Sequence, residues 1–486
     1  MSFTSFRFIL FFAFIYIVNW IYVGIKNACN YKKQNAYRRI LLLESYVFIL
    51  ISDWKTALCL FVLTVVSFLV AIGIEKYREN VLIAKTCLIC GLVLALGQLA
   101  WFKYYDFLAQ NISALVGWEY TATNPYSPLG ISFFTFSAIA YMVDVYRKKY
   151  AKCGSFMDLA LYLAFFPKLL SGPIIRPDKF MGQIQDGCSK INLNNLQIGI
   201  QLVVWGLFKK MVLADHLAIF VDDVFLVPSA FDFTTCLWAM LSYSLQIYFD
   251  FSGYSDMAIG FSRMLGIEIE NNFNLPYISK NVTEFWKRWH ISLSSWLQEY
   301  VYISLGGNRK GKFRTKLNLL ITMLLGGLWH GANWTFIIWG LIHGAALIVQ
   351  KAFRSEVNSC KKRSDNLQKV WSVCSVAITF VFVTIAWVFF RASSLTNAVE
   401  MFLQVGIFAD GITQIYTWTW GALFFVIGEV AYAFFNTKNT DKKYVSVKYP
   451  IWNLNTVKGL MMFFTLAGLT IILAYVGNTA FIYGKF

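Results

Sequence analysis

Charge is scarce in this chain: 14% of its 486 residues are Asp, Glu, Lys or Arg, against 58% hydrophobic, and the mean hydropathy is +0.55. A soluble fold needs about a quarter of its residues charged to face water, so that class is excluded. Acids are the scarcer sign, 26 against 43 Lys and Arg. The resulting +17 could suggest nucleic acid. Yet the cations sit in short clusters between apolar runs, with neither an extended basic domain nor a basic face interleaved with aromatics, so no nucleic-acid partner is expected. Cysteine is odd in number, nine, and Cys59, Cys87, Cys90, Cys236 and Cys374 fall inside apolar runs, so no disulfide framework is implied. Cys87-x-x-Cys90 has no βαβ pattern beside it and reads as packing. No small-x-small cleavage site follows the apolar run from Phe8 to Ile25, so a retained first helix is expected rather than a removed signal. No internal repeat is visible, and no metal site is expected.

What is present is a succession of apolar runs, near 40 to 52, 56 to 74, 81 to 101, 128 to 146, 158 to 175, 196 to 220, 233 to 249, 370 to 390, 418 to 435 and 458 to 476. At about 20 residues per span they predict an all-α polytopic membrane protein of roughly 10 to 12 transmembrane helices, some segments re-entrant or broken. Such helices form one bundle, and a single domain over residues 1–486 is expected. Lys26, Lys32, Lys33, Arg38 and Arg39, then Lys76 and Arg78, then Arg147, Lys148, Lys149 and Lys152 mark cytoplasmic loops. The stretch from Asn111 to Pro128 has no basic residue and carries Trp118, Tyr120 and Tyr126, which suits an outer loop; the N-terminus would then face outward.

Proline is rare, eight in all, yet Pro167, Pro173 and Pro177 fall within eleven residues of one apolar run, which therefore cannot be one regular helix. Broken backbone at membrane depth must be buried in protein or line a wet cavity. Lys168 and Arg176 either snorkel from a kink or line such a cavity.

Histidine is also rare, and three of the four histidines lie between Asp250 and His343. Polar groups are expensive inside a membrane unless used or well paired, which directs attention there. Asp250 and Asp256 lie six positions apart after an apolar span, as an interfacial cap or as acid/base groups, with Gly253 able to break the helix between them. Thr283 to Tyr302 is amphipathic and predicts a helix along the cytoplasmic interface, on which His290 shares a face with Trp286 and Ser294. His290 is then a hydrogen-bonded interfacial histidine or a chemical one. Gly306 to Lys316 places five cations in eight residues beside three glycines, including Arg309, Lys310 and Lys312. That loop can dock a phosphate-bearing donor or set topology against anionic lipid.

The apolar run from Leu317 to Val349 has 33 residues. As a straight helix it would measure about 50 Å against a hydrocarbon core of about 30 Å. It must bend, tilt or break, and Gly326-Gly-Leu-Trp-His-Gly331 is the place. His330 is thereby put at membrane depth, where a neutral imidazole could act as general base on a hydroxyl. His343 would lie about 220° round an unbroken helix from His330 and reads as structural.

Phe285-Trp-Lys-Arg-Trp-His-Ile-Ser-Leu-Ser294, Tyr302-Ile-Ser-Leu-Gly-Gly-Asn-Arg309 and Gly326-Gly-Leu-Trp-His-Gly-Ala-Asn-Trp334 together resemble the membrane-bound O-acyltransferase family. Blocks at Pro128 to Arg147, Phe165 to Arg176, Gly206 to Asp215, Tyr248 to Asp256 and Phe389 to Arg391 extend the likeness over most of the chain. The Leu-Gly-Gly-Asn-Arg block and the Gly-Ala-Asn-Trp after His330 are most similar to the branch of alginate O-acetylases and peptidoglycan O-acetyltransferase membrane subunits. The D-alanyl transferases acting towards teichoic acid are the next branch.

The resemblance implies a central tunnel, a catalytic core at about 128–350, and a bacterial inner-membrane location. It implies a cytosolic acyl thioester donor, acetyl-CoA or an acyl carrier, with no bound cofactor. The implied acceptor lies outside, a polysaccharide or a periplasmic or extracellular SGNH-type acyltransferase. His330 is the implied catalytic histidine and His290 the second signature histidine, with Arg309, Lys310 and Lys312 on the donor side and Asp250, Asp256, Trp286, Trp329 and Asn333 supporting. Relatives commonly have Arg-Asp where Gln298-Glu299 stands here, so a role for that arginine does not carry over. A transporter or flippase, or a silent scaffold for an outer partner, would also need broken helices, but neither gives a reason for two histidine motifs.

Overall fold

The computed structural model describes residues 1–28, 35–123, 126–149, 154–186, 191–353, 365–436, 451–477 and 481–482. Lys32, Lys33 and Lys152 of the expected basic clusters lie outside the described residues. In chain order the helices are α1 (Phe6–Ala28), α2 (Asn35–Ser52), α3 (Trp54–Lys76), α4 (Val81–Val116), α5 (Ile131–Tyr146), α6 (Phe156–Ala164), α7 (Phe166–Leu169), α8 (Pro177–Asp186) and α9 (Leu193–Leu207). A π-helical turn (Phe208–Ala214) joins α9 to α10 (Asp215–Leu226), and α11 (Phe233–Met264) follows. Then come α12 (Val282–Arg288), α13 (Ile291–Trp296) with a second π-helical turn (Leu297–Tyr302), α14 (Gly311–His330) and α15 (Trp334–Ala352). The last are α16 (Asp365–Arg391), α17 (Leu395–Gly406), α18 (Trp418–Asn436) and α19 (Val457–Leu473). Among the described residues the only β-type pairing is an isolated bridge between Phe231 and Ile412.

Among the described residues seven helices are long and apolar enough to cross a membrane, and two more apolar helices, Ile131–Tyr146 and Val457–Leu473, are shorter. The chain is a multi-pass membrane protein. Several apolar runs of the sequence are not plain spans: the run from 158 to 175 is α6, a turn and α7, because Pro167 and Pro173 forbid one helix.

Two compact units divide the chain, residues 1–204 with 254–270, and residues 205–253 with 271–486. In the first, Phe3, Phe8, Phe12, Phe48, Phe166 and Phe261 make a packed aromatic cluster, with ring centroids 4.5 Å apart for Phe12 and Phe261. The backbone of α5 is walled in on every side, since all its residues from Ile131 to Val145 are buried. That explains its evenly apolar sequence, which shows no amphipathic face. Arg38 grips Asp158 through two hydrogen bonds of 2.8 and 3.0 Å.

In the second unit, the π-helical turn of the spanning segment Leu193–Leu226 carries Lys209 and Lys210. Both are buried, so each needs an acid. Lys209 Nζ lies 3.0 Å from Glu429, which also accepts a 2.8 Å hydrogen bond from Tyr248. Lys210 Nζ sits between Asp215 at 2.6 Å and Asp250 at 2.5 Å. A π-helical turn shifts the backbone register and leaves a carbonyl to be satisfied from outside; Met211 O accepts from the Tyr475 amide at 2.9 Å. Large aromatic side chains fill part of the remaining core, with Trp289, Trp339 and Trp387 fully buried.

Candidate active site

The segment expected to be one amphipathic helix from Thr283 to Tyr302 is broken at His290, and this corrects the sequence reading. Helix α12 begins on Asn281, whose side chain accepts from the Glu284 amide at 2.9 Å, and ends at Trp289 in extended geometry. His290 follows at φ 42°, ψ 54°, the left-handed region, and α13 starts at the next residue. His290 therefore does not share a helical face with Trp286 and Ser294. A non-glycine residue held there costs of order 1–3 kcal/mol and persists only where its surroundings fix it.

The surroundings are the segment 271–275. The Asn274 amide donates to Arg288 O, and the Ile291 amide donates to Asn272 O, both at 2.9 Å. Asn272 Oδ1 accepts from the Ser292 amide at 3.0 Å and the Ser292 hydroxyl at 2.8 Å, and lies 3.3 Å from His290 Nδ1. Because a backbone N–H can only donate, that side-chain atom is the oxygen. Nδ1 of His290 is then the N–H, and Nε2 is the basic nitrogen.

His330 is the last residue of α14, and the backbone runs extended through Gly331 before Asn333 caps α15. The break expected within Gly326–Gly331 thus falls immediately after the histidine. Glycine is required at Gly331 and Gly327 by close approach: a methyl group would lie 2.2 Å from the Phe336 ring at the first and 2.2 Å from Phe336 O at the second. Asn333 Oδ1 accepts from the Thr335 amide and its Nδ2 donates to Ser393 O, so its visible work is to close the turn.

His290 and His330 are buried, and both touch Trp329, with ring centroids at 5.9 and 4.9 Å. Phe251 packs edge-on to His290 at 4.6 Å. Phe390 and Trp339 do the same to His330 at 4.9 and 5.2 Å. Because the helix breaks after His330, the angle of an unbroken helix does not apply to His343, which contacts Trp339 at 4.9 Å, the same indole that His330 touches. Half-buried Trp286 packs at 5.1 Å against His343 rather than against His290. Sequence reasoning missed Asn272 and Trp339, and reached Phe390 only as part of the Phe389 to Arg391 block. Asn272 had a faint signal as the second of three asparagines in a short polar link between apolar segments.

Asp250 and Asp256 both lie inside the unbroken α11, so neither is a cap. Gly253 does not break the helix but lets it approach α9, since a methyl there would fall 2.7 Å from Gly206 O. Asp250 is buried, paired with Lys210, and accepts from the Ile482 amide at 2.8 Å. Asp256 is half-buried. Arg309, Lys310 and Lys312 are all exposed. Their loop turns on Gly306, Gly307 and Gly311, each at positive φ. Asn318 ties it to α14 by donating to Leu305 O and Gly307 O. The result is a structured turn that presents cations outward.

A buried pair of histidines, one in a fixed tautomer and both against one indole, can move a proton between a hydroxyl and a leaving group. Among the described residues no cluster of His, Cys, Asp and Glu could hold a metal ion. Residues 100–393 match the model of MBOAT, the membrane-bound O-acyltransferase family. The chain is similar to a protein of Azotobacter vinelandii named "Probable alginate O-acetylase", at 39% identity covering 82% of this chain and 77% of that one. It is similar to the peptidoglycan O-acetyltransferase of Helicobacter pylori, at 38% identity over 69% of this chain and 67% of that one. The teichoic acid D-alanyltransferase of Bacillus subtilis is 27% identical over 74% of this chain and 91% of its own.

Proposed function

Because the chain belongs to the membrane-bound O-acyltransferase family and is an acyltransferase, we propose that it takes an acetyl group from a cytosolic thioester, acetyl-CoA or an acyl carrier, and passes it across a bacterial inner membrane. The acceptor is an extracytoplasmic polysaccharide, reached directly or through an SGNH-type acyltransferase. Acetyl is favoured over D-alanyl because the relatives named for O-acetylation are 38–39% identical and the Bacillus subtilis D-alanyltransferase 27%.

The observation that carries this reading is the pair His290 and His330 on Trp329, with Nε2 of His290 left basic by Asn272. His330 removes the proton of the acceptor hydroxyl as its oxygen attacks the thioester carbonyl, or receives the acetyl group first and passes it on. The C–S bond breaks, an ester C–O bond forms, and the proton ends on the departing sulfur. His330 takes the hydroxyl proton, and the basic Nε2 of His290 can accept it in turn and deliver it to that sulfur. The thioester is already activated, so the protein contributes positioning and exclusion of water.

The test is transfer of labelled acetyl from acetyl-CoA to a polysaccharide or partner acceptor by purified protein in nanodiscs. His330→Ala should lower the rate by at least about a hundredfold while the protein elutes and melts like wild type. Full transfer by that variant would remove the reading.

A further inference from the structure

The broken segment between α6 and α8 contains a charged side chain that has no part in the steps proposed above. Lys168, in the four-residue α7, is 4% exposed, and among the described residues its Nζ has no hydrogen-bond partner and no carboxylate within ion-pairing distance. Its ammonium lies 3.8 Å from the centroid of Tyr162 and 5.3 Å from that of Phe180. Two ring faces favour a cation but do not replace the water or counter-ion that a buried ammonium loses. Arg176, Asp144 and Asp178 are the other charges that act on Tyr162, and neither acid reaches Lys168.

Lys168 lines a pocket with Phe133, Phe134, Ser137, Leu169 and Ile174. The Ser137 hydroxyl donates to Phe133 O at 3.0 Å, so Lys168 is the only side chain on the wall with protons left to give. The free space is that of about one water molecule. The backbone that frames it is closely packed: a methyl at Gly172 would lie 2.5 Å from Lys168 Cα, and one at Gly130, where φ is 69°, would lie 2.3 Å from Leu169 O. One ammonium, apolar walls and the volume of a single water suit a monatomic monoanion. A dianion would need more donors, and a carboxylate more room.

We infer that the Lys168 pocket is a binding site for a monovalent anion of halide size, chloride being the physiological one. The anion neutralises the buried ammonium and so stabilises residues 165–176 in their broken conformation.

The test is thermal unfolding of purified protein in sodium gluconate with stepwise replacement by sodium chloride at constant ionic strength. Wild type should gain about 2 °C at saturation, Lys168→Arg should keep the gain, and Lys168→Met should lose it while melting no lower than wild type in gluconate alone. Equal chloride dependence in wild type and Lys168→Met, or none in wild type, overturns the site. Should Lys168→Met fail to fold, crystals of the wild type in sodium bromide decide: an anomalous peak beside Lys168 Nζ supports it, and an empty map there overturns it.

Discussion

At the scale of single residues, the sequence singled out both histidines of the proposed site but not what orients them. His330 was readable because three glycines surround it in an apolar run too long to be one span. His290 was readable as a residue but not as a conformation, since left-handed backbone at a histidine has no pattern in the flanking residues. Its partner Asn272 lies 18 positions away, where periodicity carries no information. That partner makes a prediction. Asn272→Ala removes the acceptor of Nδ1 and frees the ring to change tautomer, so kcat should fall about tenfold to a hundredfold. Asn272→Asp keeps an acceptor at the same place and should retain more activity than the alanine variant. A loss of the same size in both would assign Asn272 to folding rather than to orientation, and a pH–rate profile unchanged in Asn272→Ala would say the same.

At the scale of helices, the overall plan was legible because apolar length and composition mark spanning helices directly, and the breaks at 165–176 and 326–331 because proline and glycine are local signals. Less legible were the two π-helical turns. Lys209 and Lys210, in the first of them, are buried against Asp215, five residues from Lys210, and against Glu429 and Asp250 from distant parts of the chain. The amphipathic pattern of 283–302 likewise described burial correctly and continuity wrongly, since two short helices can share one buried side. Packing of α14 on α15 is set by glycines facing backbone: a methyl at Gly340 would fall 2.4 Å from Met323 O. Backbone cannot swing away as a side chain can, so Gly340→Ala should destabilise by about 1–3 kcal/mol and reduce transfer by displacing His330. Gly421→Ala, in a spanning helix where nothing lies within 4 Å, is the control and should be neutral or stabilising by about 0.5–1 kcal/mol. The measurement is thermal unfolding of both variants beside wild type; equal melting would separate helix packing from the site.

At the scale of the whole molecule, scarcity of charge makes the position of each cation informative. Buried cations occur beside acids in the Lys209 and Lys210 turn, whereas Arg309, Lys310 and Lys312 project outward from a glycine turn tied down by Asn318. A rigid turn that exposes three cations is a place for a phosphate-bearing donor, and equally for anionic lipid, and kinetics separate the two. If the donor docks there, replacing all three by glutamine removes attraction made before and during reaction alike, which raises KM and leaves kcat nearly unchanged. Three exposed contacts of about 0.2–1 kcal/mol each predict a KM for acetyl-CoA raised about three- to a hundredfold in low salt. The difference from wild type should shrink as salt approaches about 1 M, where the screening length falls to about 3 Å. An unchanged KM in nanodiscs of neutral lipid would give the loop back to topology. A KM that changes only when phosphatidylglycerol is present would assign it to the lipid surface.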